Sequence, residues 1–199
     1  VMEFSRIHEV RSMRNLLELL RQRTGSPLSF ESLSRDLGIA PNTVRSYVNI
    51  LEALHIVFLV TPYHRNIARA QAKAPKLYFY DWAYVDGDDG ARLENLVATS
   101  LQKHVHYLAD SSGEQLTLNY VRTTSGKEID FVLTREDGEA AQFIEVKWAD
   151  TKPSYALRQM AQQHPEAQAL QLVRLARHAT QMSGVQVHPV AQWLMGLAA

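Results

Sequence analysis

Cysteine is absent from the 199-residue chain, which excludes disulfide bonds and metal sites built on thiolates. No apolar run approaches the roughly 18–20 residues that a membrane-spanning helix needs. The N-terminal residues also lack the layout of a secretory signal peptide. Together these absences predict a cytoplasmic protein without a membrane partner.

The signatures of several enzyme classes are missing as well. The chain contains no G-x-x-x-x-G-K-[ST], no G-x-G-x-x-G, no G-x-S-x-G and no H-E-x-x-H. We therefore expect no nucleotide site within these residues, and no serine-hydrolase or zinc-protease centre.

An excess of charge of one sign is lacking overall, since 21 Lys and Arg balance 21 Asp and Glu. The balance hides an asymmetry: up to Tyr80 there are 11 basic and 6 acidic residues, and from Asp81 onward 10 basic and 15 acidic. The asymmetry predicts two domains, 1–80 and 81–199. The first, basic domain is the better candidate for contact with phosphate.

Two short helices are predicted in the first half. Ser29 suits the N-cap of a helix over 30–37, Gly38 suits the turn after it, and Pro41 suits the first position of the next helix. Five apolar residues of the second helix recur at helical spacing and are expected to face the core: Val44, Tyr47, Val48, Leu51 and Leu54. Polar residues remain on its outer side: Asn42, Thr43, Arg45, Ser46 and Asn49.

Short helix, glycine turn and longer helix is the helix-turn-helix plan. Strands predicted near 56–60 and 77–81 flank a basic loop and would complete a winged helix. In the DNA-binding interpretation, the outer polar residues of the second helix contact double-stranded DNA, together with four basic residues of the loop: Arg65, Arg69, Lys73 and Lys76. The alternatives are a solvated loop and a winged helix that binds protein.

The second half reads as α-β-β-β-α-β. An amphipathic helix over 90–108 precedes two hairpin-linked strands and a third strand, "QFIEVKW", and a helix and a strand follow. This order predicts an α/β sandwich around a mixed sheet, of the α+β class.

Acidic residues interrupt two of these apolar strands. Alternation places Ile129 and Phe131 on one face with Asp130 opposite, while Glu145 and Lys147 share a face. If the strands are neighbours, two carboxylates converge and form a hard-oxygen site for Mg²⁺ or Mn²⁺. Lys147 would then orient or deprotonate the attacking water. The alternative is a solvated sheet face with a cross-strand ion pair.

Asp130 and "EVK" at 145–147, with Glu94 on the preceding helix, resemble the PD-(D/E)xK, restriction-endonuclease-like superfamily. With "RTGSPLSFESLSRDLGIAPNTVRSYV", "KAPKLYFYDWAYV" and "GARLENLVATSL" included, nearly the whole chain resembles the C-terminal portion of a prokaryotic family of AAA+-type P-loop ATPases. In that family a winged helix precedes a nuclease-like domain of unknown function.

The resemblance implies catalytic roles for Glu94, Asp130, Glu145 and Lys147, with the three carboxylates as metal ligands. It also implies an upstream P-loop ATPase module in the same polypeptide. The expected function is divalent-metal-dependent phosphodiester hydrolysis on DNA. The alternative is a non-catalytic DNA- or protein-docking module of the ATPase.

Overall fold

A computed structural model describes residues 2–63, 74–122 and 127–197. Its helices are α1 (Met2–Arg21), α2 (Phe30–Leu37), α3 (Pro41–Ala53), a 3-10 turn (Trp82–Tyr84), α4 (Asp89–Ser112), α5 (Tyr155–Gln163) and α6 (Val190–Met195). Its strands are β1 (Val57–Pro62), β2 (Lys76–Phe79), β3 (Leu116–Arg122), β4 (Glu128–Arg135), β5 (Ala140–Lys147), β6 (Gln168–Val173), β7 (Thr180–Met182) and β8 (Val185–Pro189). No helix of the described residues is long and apolar enough to cross a membrane.

The eight strands of the described residues belong to one mixed sheet, in the order β2-β1-β3-β4-β5-β6-β8-β7. Neighbours pair antiparallel in the hairpins, whereas β1–β3, β5–β6 and β6–β8 pair parallel. The predicted α+β class with a mixed sheet is confirmed. The short strand β7 was not anticipated, because its three residues are exposed and carry no apolar alternation.

The predicted helix pair of the first half is present. The Ser29 hydroxyl accepts the Ser32 N–H, and Gly38 ends α2 in the left-handed conformation at φ 65°. Val44, Val48 and Leu51 of α3 are buried among side chains of α1, α2 and the β1–β2 hairpin. The expected core position of Leu54 is wrong, since α3 ends at Ala53 and Leu54 is 63% exposed.

The first half joins the rest of the sheet through β1. Thr61 and Pro62 pair parallel with Asn119 and Tyr120 of β3. On the outer side of β2, the Asn95 side chain from α4 donates to Phe79 O at 2.8 Å and accepts the Phe79 N–H at 2.9 Å. Strand pairing therefore continues across the predicted boundary between residues 80 and 81, and the division into two domains stays a prediction.

Helices α4 and α5 cover opposite faces of the β3–β6 part of the sheet. On one face, Val97 and Leu101 of α4 pack with Phe131 and Ile144, and on the other Leu157 of α5 packs among side chains that include Phe143. Residues 143 and 144 are successive, so the two clusters follow the alternation of β5. The carboxylate-bearing strands thus lie in the middle of a two-sided core.

Candidate functional site

A β-bulge in β4 decides where Asp130 lies. Asn119 pairs with Val132 and Val121 with Ile129, so two residues, Asp130 and Phe131, oppose the single residue Tyr120. The extra residue reverses the alternation. Ile129 packs with the α5 cluster and Phe131 with the α4 cluster, and the expectation that both share a face is wrong.

The Asp130 carboxylate is turned toward β5. Its Oδ2 accepts the backbone N–H of Val146 at 2.7 Å, and its side chain is half-buried. Burial, and after it the nearby Glu94 charge, raises the pKa of Asp130 to about 7, against the lowering effects of the Val146 N–H, Lys76 and Lys147. Near neutral pH this carboxyl group therefore exchanges a proton readily.

Glu94 reaches the same region from α4. Its Oε1 accepts the Tyr78 hydroxyl at 2.7 Å and lies 3.8 Å from Lys76 Nζ. Burial, together with the Glu94 charge, raises the pKa of Tyr78 well above its ordinary value, so the phenol stays protonated and keeps donating. Lys76 is only 2% exposed and also lies 3.2 Å from Glu128. One buried ammonium thus lies between two glutamates.

Glu145 has a different set of partners. It is 4% exposed, and its Oε1 lies 2.7 Å from Lys147 Nζ. Its Oε2 accepts the hydroxyl of Ser154, the N-cap residue of α5, at 2.5 Å. Gln171 of β6 is fully buried beside Glu145 and donates to Asp150 O at 2.8 Å, which holds the β5–α5 connection in place. The predicted shared face of Glu145 and Lys147 is confirmed by their ion pair.

Lys147 is held in its charged form. Burial acts to lower its pKa, but the hydrogen bond and charge of Glu145, with the charges of Asp130 and Glu94, raise it above the ordinary value. A protonated lysine donates hydrogen bonds and stabilises negative charge. Of the two roles expected for Lys147, this protonation state favours orienting and stabilising over deprotonation of water.

These side chains offer a divalent cation only a partial set of ligands. Among the described ranges, no three or more Asp, Glu, His or Cys side chains are arranged to hold a metal ion. Mg²⁺, however, is often bound through only one or two protein carboxylates, with waters and substrate phosphate completing its shell. Glu94 and Asp130 are two such carboxylates, because their charges repel and a cation would relieve the repulsion, although Glu94 Oε1 also accepts the Tyr78 hydroxyl. Glu145 is instead turned to Lys147 and Ser154.

The predicted nucleic-acid-binding residues of α3 lie together on its outer side. Asn42, Arg45, Ser46 and Asn49 are exposed and Thr43 is half-buried. The Arg45 guanidinium lies 4.3 Å from the centre of the Phe30 ring, a cation–π contact that holds it beside α2.

The predicted loop residues Arg65, Arg69 and Lys73 lie outside the described residues. The loop role of Lys76 is wrong, because this lysine belongs to β2 and is buried.

Sequence reasoning missed Lys76, Tyr78 and Ser154 as parts of this site. For Lys76 a signal existed, since a lysine next to the apolar run "LYF" is as anomalous as an aspartate in "EIDFVL". Ser154 carried no such signal, because an N-cap serine needs no further partner to account for it.

Comparison with known protein families matches nearly the whole chain. A sequence model described as domain of unknown function DUF8612 matches residues 1–86, and one described as domain of unknown function DUF4143 matches residues 89–193. The second match covers more than half of the chain and contains all four predicted catalytic residues.

Two curated proteins of mycobacteria share part of the sequence. Uncharacterised proteins of Mycobacterium bovis and Mycobacterium tuberculosis are each 33% identical to the chain over 70 residues. The aligned segment is 35% of this chain and only 16% of each relative, so the chain represents a small part of the length of the relatives that it matches. No solved structure matched significantly.

Proposed function

The chain belongs to the DUF4143 family, whose domain has no assigned function, and on that premise we propose that it is a divalent-cation-dependent phosphodiesterase acting on nucleic acid. One observation carries the proposal: the carboxylates of Asp130 and Glu94 and the ammonium of Lys147 come from three different elements and interact in one region, where burial, and after it the Glu94 charge, raises the pKa of Asp130 to about 7. Groups with strongly perturbed ionisation cluster at functional sites more often than elsewhere.

In this proposal Glu94 and Asp130 hold the cation. A bound Mg²⁺ or Mn²⁺ would supply Lewis acidity toward a phosphate oxygen and a more acidic water. The charged Lys147 lies within electrostatic reach of both carboxylates and would donate to the phosphate or to the attacking water. Glu145 positions that ammonium through its Oε1. Ser154 in turn fixes Glu145, because its hydroxyl donates to Oε2. The role of Glu145 as a direct metal ligand requires it to leave one of these partners.

The helix pair α2–α3 supports a nucleic-acid substrate. The order helix, glycine turn, helix and β-hairpin is that of a winged helix, which we propose here as the DNA-contacting part. The outer residues of α3 supply amide, hydroxyl and guanidinium groups suited to phosphate and base edges. We further propose that the chain works in the cytoplasm as the C-terminal part of a P-loop ATPase, as its sequence resemblance implies.

A thermal-unfolding series tests the cation site. We expect Mg²⁺ or Mn²⁺ to stabilise the protein by mass action, by about 2.7 kcal/mol at a hundredfold excess over the dissociation constant. Asp130→Asn should remove that gain, because it removes an anionic ligand and the repulsion that the cation relieves. Lys147→Ala should keep the gain yet abolish cleavage of a labelled oligonucleotide, and Lys152→Ala, which changes an exposed lysine on the same connection, should retain both.

A second function is favoured by one specific observation. Glu145 already has both oxygens engaged, by Lys147 and Ser154, as in a site that serves only structure. A melting temperature unchanged by either metal at millimolar concentration would contradict the phosphodiesterase. It would support a docking module that binds DNA or protein for the ATPase without cleaving.

A further inference from the structure

A cleft of about 380 Å³ lies beside α4, close to the C-terminal ends of β5 and β6. It is lined by two tryptophans, two leucines, two arginines and one aspartate: Trp82, Trp148, Leu93, Leu96, Arg92, Arg174 and Asp89. The volume lies in the range of clefts that bind small planar ligands. Neither the carboxylate site nor the α3 face accounts for it.

The tryptophans of this cleft are unusually open to solvent. Trp82 is 48% exposed and Trp148 40% exposed, and they are two of the three tryptophans of the chain. An exposed indole presents a large flat apolar face to water, an arrangement that is common where another flat group stacks on it. Two such faces at one cleft indicate a planar, aromatic ligand.

The two arginines indicate that this ligand is negatively charged. The Arg174 guanidinium lies 6.0 Å from the centre of the Trp148 ring, and the Arg92 Nε–H donates to Val85 O at 3.4 Å. Within the described part of the chain, neither guanidinium forms a salt bridge with a carboxylate. Guanidinium groups bind phosphate through paired hydrogen bonds. A nucleotide combines these two features, a flat aromatic base and a phosphate.

The backbone ties this cleft to the proposed reaction site. Trp148 directly follows Lys147, and the Arg174 N–H donates to Lys147 O at 3.0 Å, while the Leu175 N–H donates to Trp148 O at 3.0 Å. A nucleotide held by Trp148 and Arg174 therefore lies at the end of β5, one residue along the chain from Lys147, whose side chain alternates to the other face of the strand.

We propose that the cleft binds an unpaired base of single-stranded nucleic acid, with its base against the indoles and its phosphate on Arg92 and Arg174. The inference rests on the proposed function and narrows its substrate to strands with unpaired nucleotides. Bases in a duplex are stacked on each other, so an indole reaches a base only where the strand is single.

Binding of a fluorescein-labelled oligo(dT) 12-mer to the whole chain in EDTA tests the proposal without any cleavage. Trp148→Leu should weaken binding by about 5- to 150-fold, the effect of losing about 1–3 kcal/mol of base stacking. Trp148→Phe should restore most of the affinity, because it restores an aromatic face. The oligonucleotide should also quench the tryptophan fluorescence of the wild type.

The charge is tested by a matched pair of variants. Arg174→Gln should weaken binding and lower the slope of log affinity against log salt by about 0.7, the value for one phosphate contact in a single strand. Arg177→Gln changes an exposed arginine three residues further on, outside the cleft, and should leave both quantities close to wild type.

Any one of four results would overturn the proposal. The first two are no binding of the 12-mer at low salt and equal affinity of Trp148→Leu and wild type for the 12-mer. The other two are equal effects of Arg174→Gln and Arg177→Gln on binding, and an equal loss of affinity for a blunt duplex and for the 12-mer in Trp148→Leu. Thermal unfolding of each variant separates binding defects from folding defects. If the 12-mer binds as expected and Mn²⁺ produces no cleavage, the proposed hydrolysis fails and the cleft stands. If Trp148→Leu cleaves the 12-mer as fast as the wild type, the proposed hydrolysis stands and the proposed binding of a base in the cleft fails.

Discussion

Asp130 and Glu145 occupy comparable places in the sequence but have different partners and different burial in the fold. Each interrupts an apolar strand, and β4 and β5 are neighbours. Glu145 lies deep, yet a lysine and a serine bind its two oxygens. Asp130 is closer to solvent, has one backbone N–H at 2.7 Å, and faces the charge of Glu94. The partners of a carboxylate, and not its depth alone, therefore determine whether its charge is tolerated.

The largest effect expected from this comparison concerns the two lysines. Lys76→Met should cost about 3–5 kcal/mol of unfolding free energy, because it leaves Glu94 and Glu128 without their buried counter-charge. Lys147→Met should cost less, since the Lys147 side chain is 37% exposed and Glu145 keeps the hydrogen bond from Ser154. Urea unfolding at pH 7 measures both free energies. Equal losses would mean that burial of the ammonium does not distinguish the two sites.

Next in size is a dependence on pH. The pKa of Asp130 is raised from 3.8 to about 7, so between these values the folded protein holds a proton that the unfolded chain releases. The stability present below pH 3.8 is lost as pH rises toward 7, by up to about 4 kcal/mol. Asp130→Asn keeps an oxygen for the Val146 N–H and should lose this component of the pH dependence. The difference between wild type and variant in urea midpoints at pH 5 and pH 8 measures it, and parallel curves would contradict the raised pKa.

The smallest effect tests the partner of Glu145. Ser154→Ala removes both the bond to Glu145 and the cap on the Leu157 N–H, and should cost about 1–2 kcal/mol. Ser29→Ala is the matched control, because Ser29 caps α2 through the Ser32 N–H in an exposed place and should cost about 1 kcal/mol or less. The excess loss at Ser154, measured by thermal unfolding, reports the contact with Glu145. If the two losses are equal, Ser154 is a cap and nothing more.

The elements that local patterns determine were predictable. Helix α2 matches its predicted bounds of 30–37, because an N-cap serine and a glycine after the last turn mark its ends in the sequence. The strand pattern of "FIEVK" likewise placed Glu145 and Lys147 on one face. Such signals come from residues that are close in the chain, so a single sequence contains them.

The bulge at Asp130 was not predictable in the same way. A strict alternation fits "EIDFVL" equally well with or without an extra residue, and the pairing with Tyr120 that reveals it depends on β3. The burial of Lys76 between Glu94 and Glu128 depends in the same way on elements that are distant in the chain. Local periodicity predicted which strands carry charge and could not predict which charges meet.

The amide of Asn95 has a consequence beyond the contact itself. An edge strand normally presents unpaired N–H and C=O groups, to which a strand of another chain can form hydrogen bonds. At β2 the Asn95 amide binds both polar groups of Phe79, the Thr99 hydroxyl adds a second donor to Phe79 O, and the Gly25 N–H binds Leu77 O. This end of the sheet is therefore closed to strand addition, and with it to edge-to-edge aggregation of neighbouring molecules through β2.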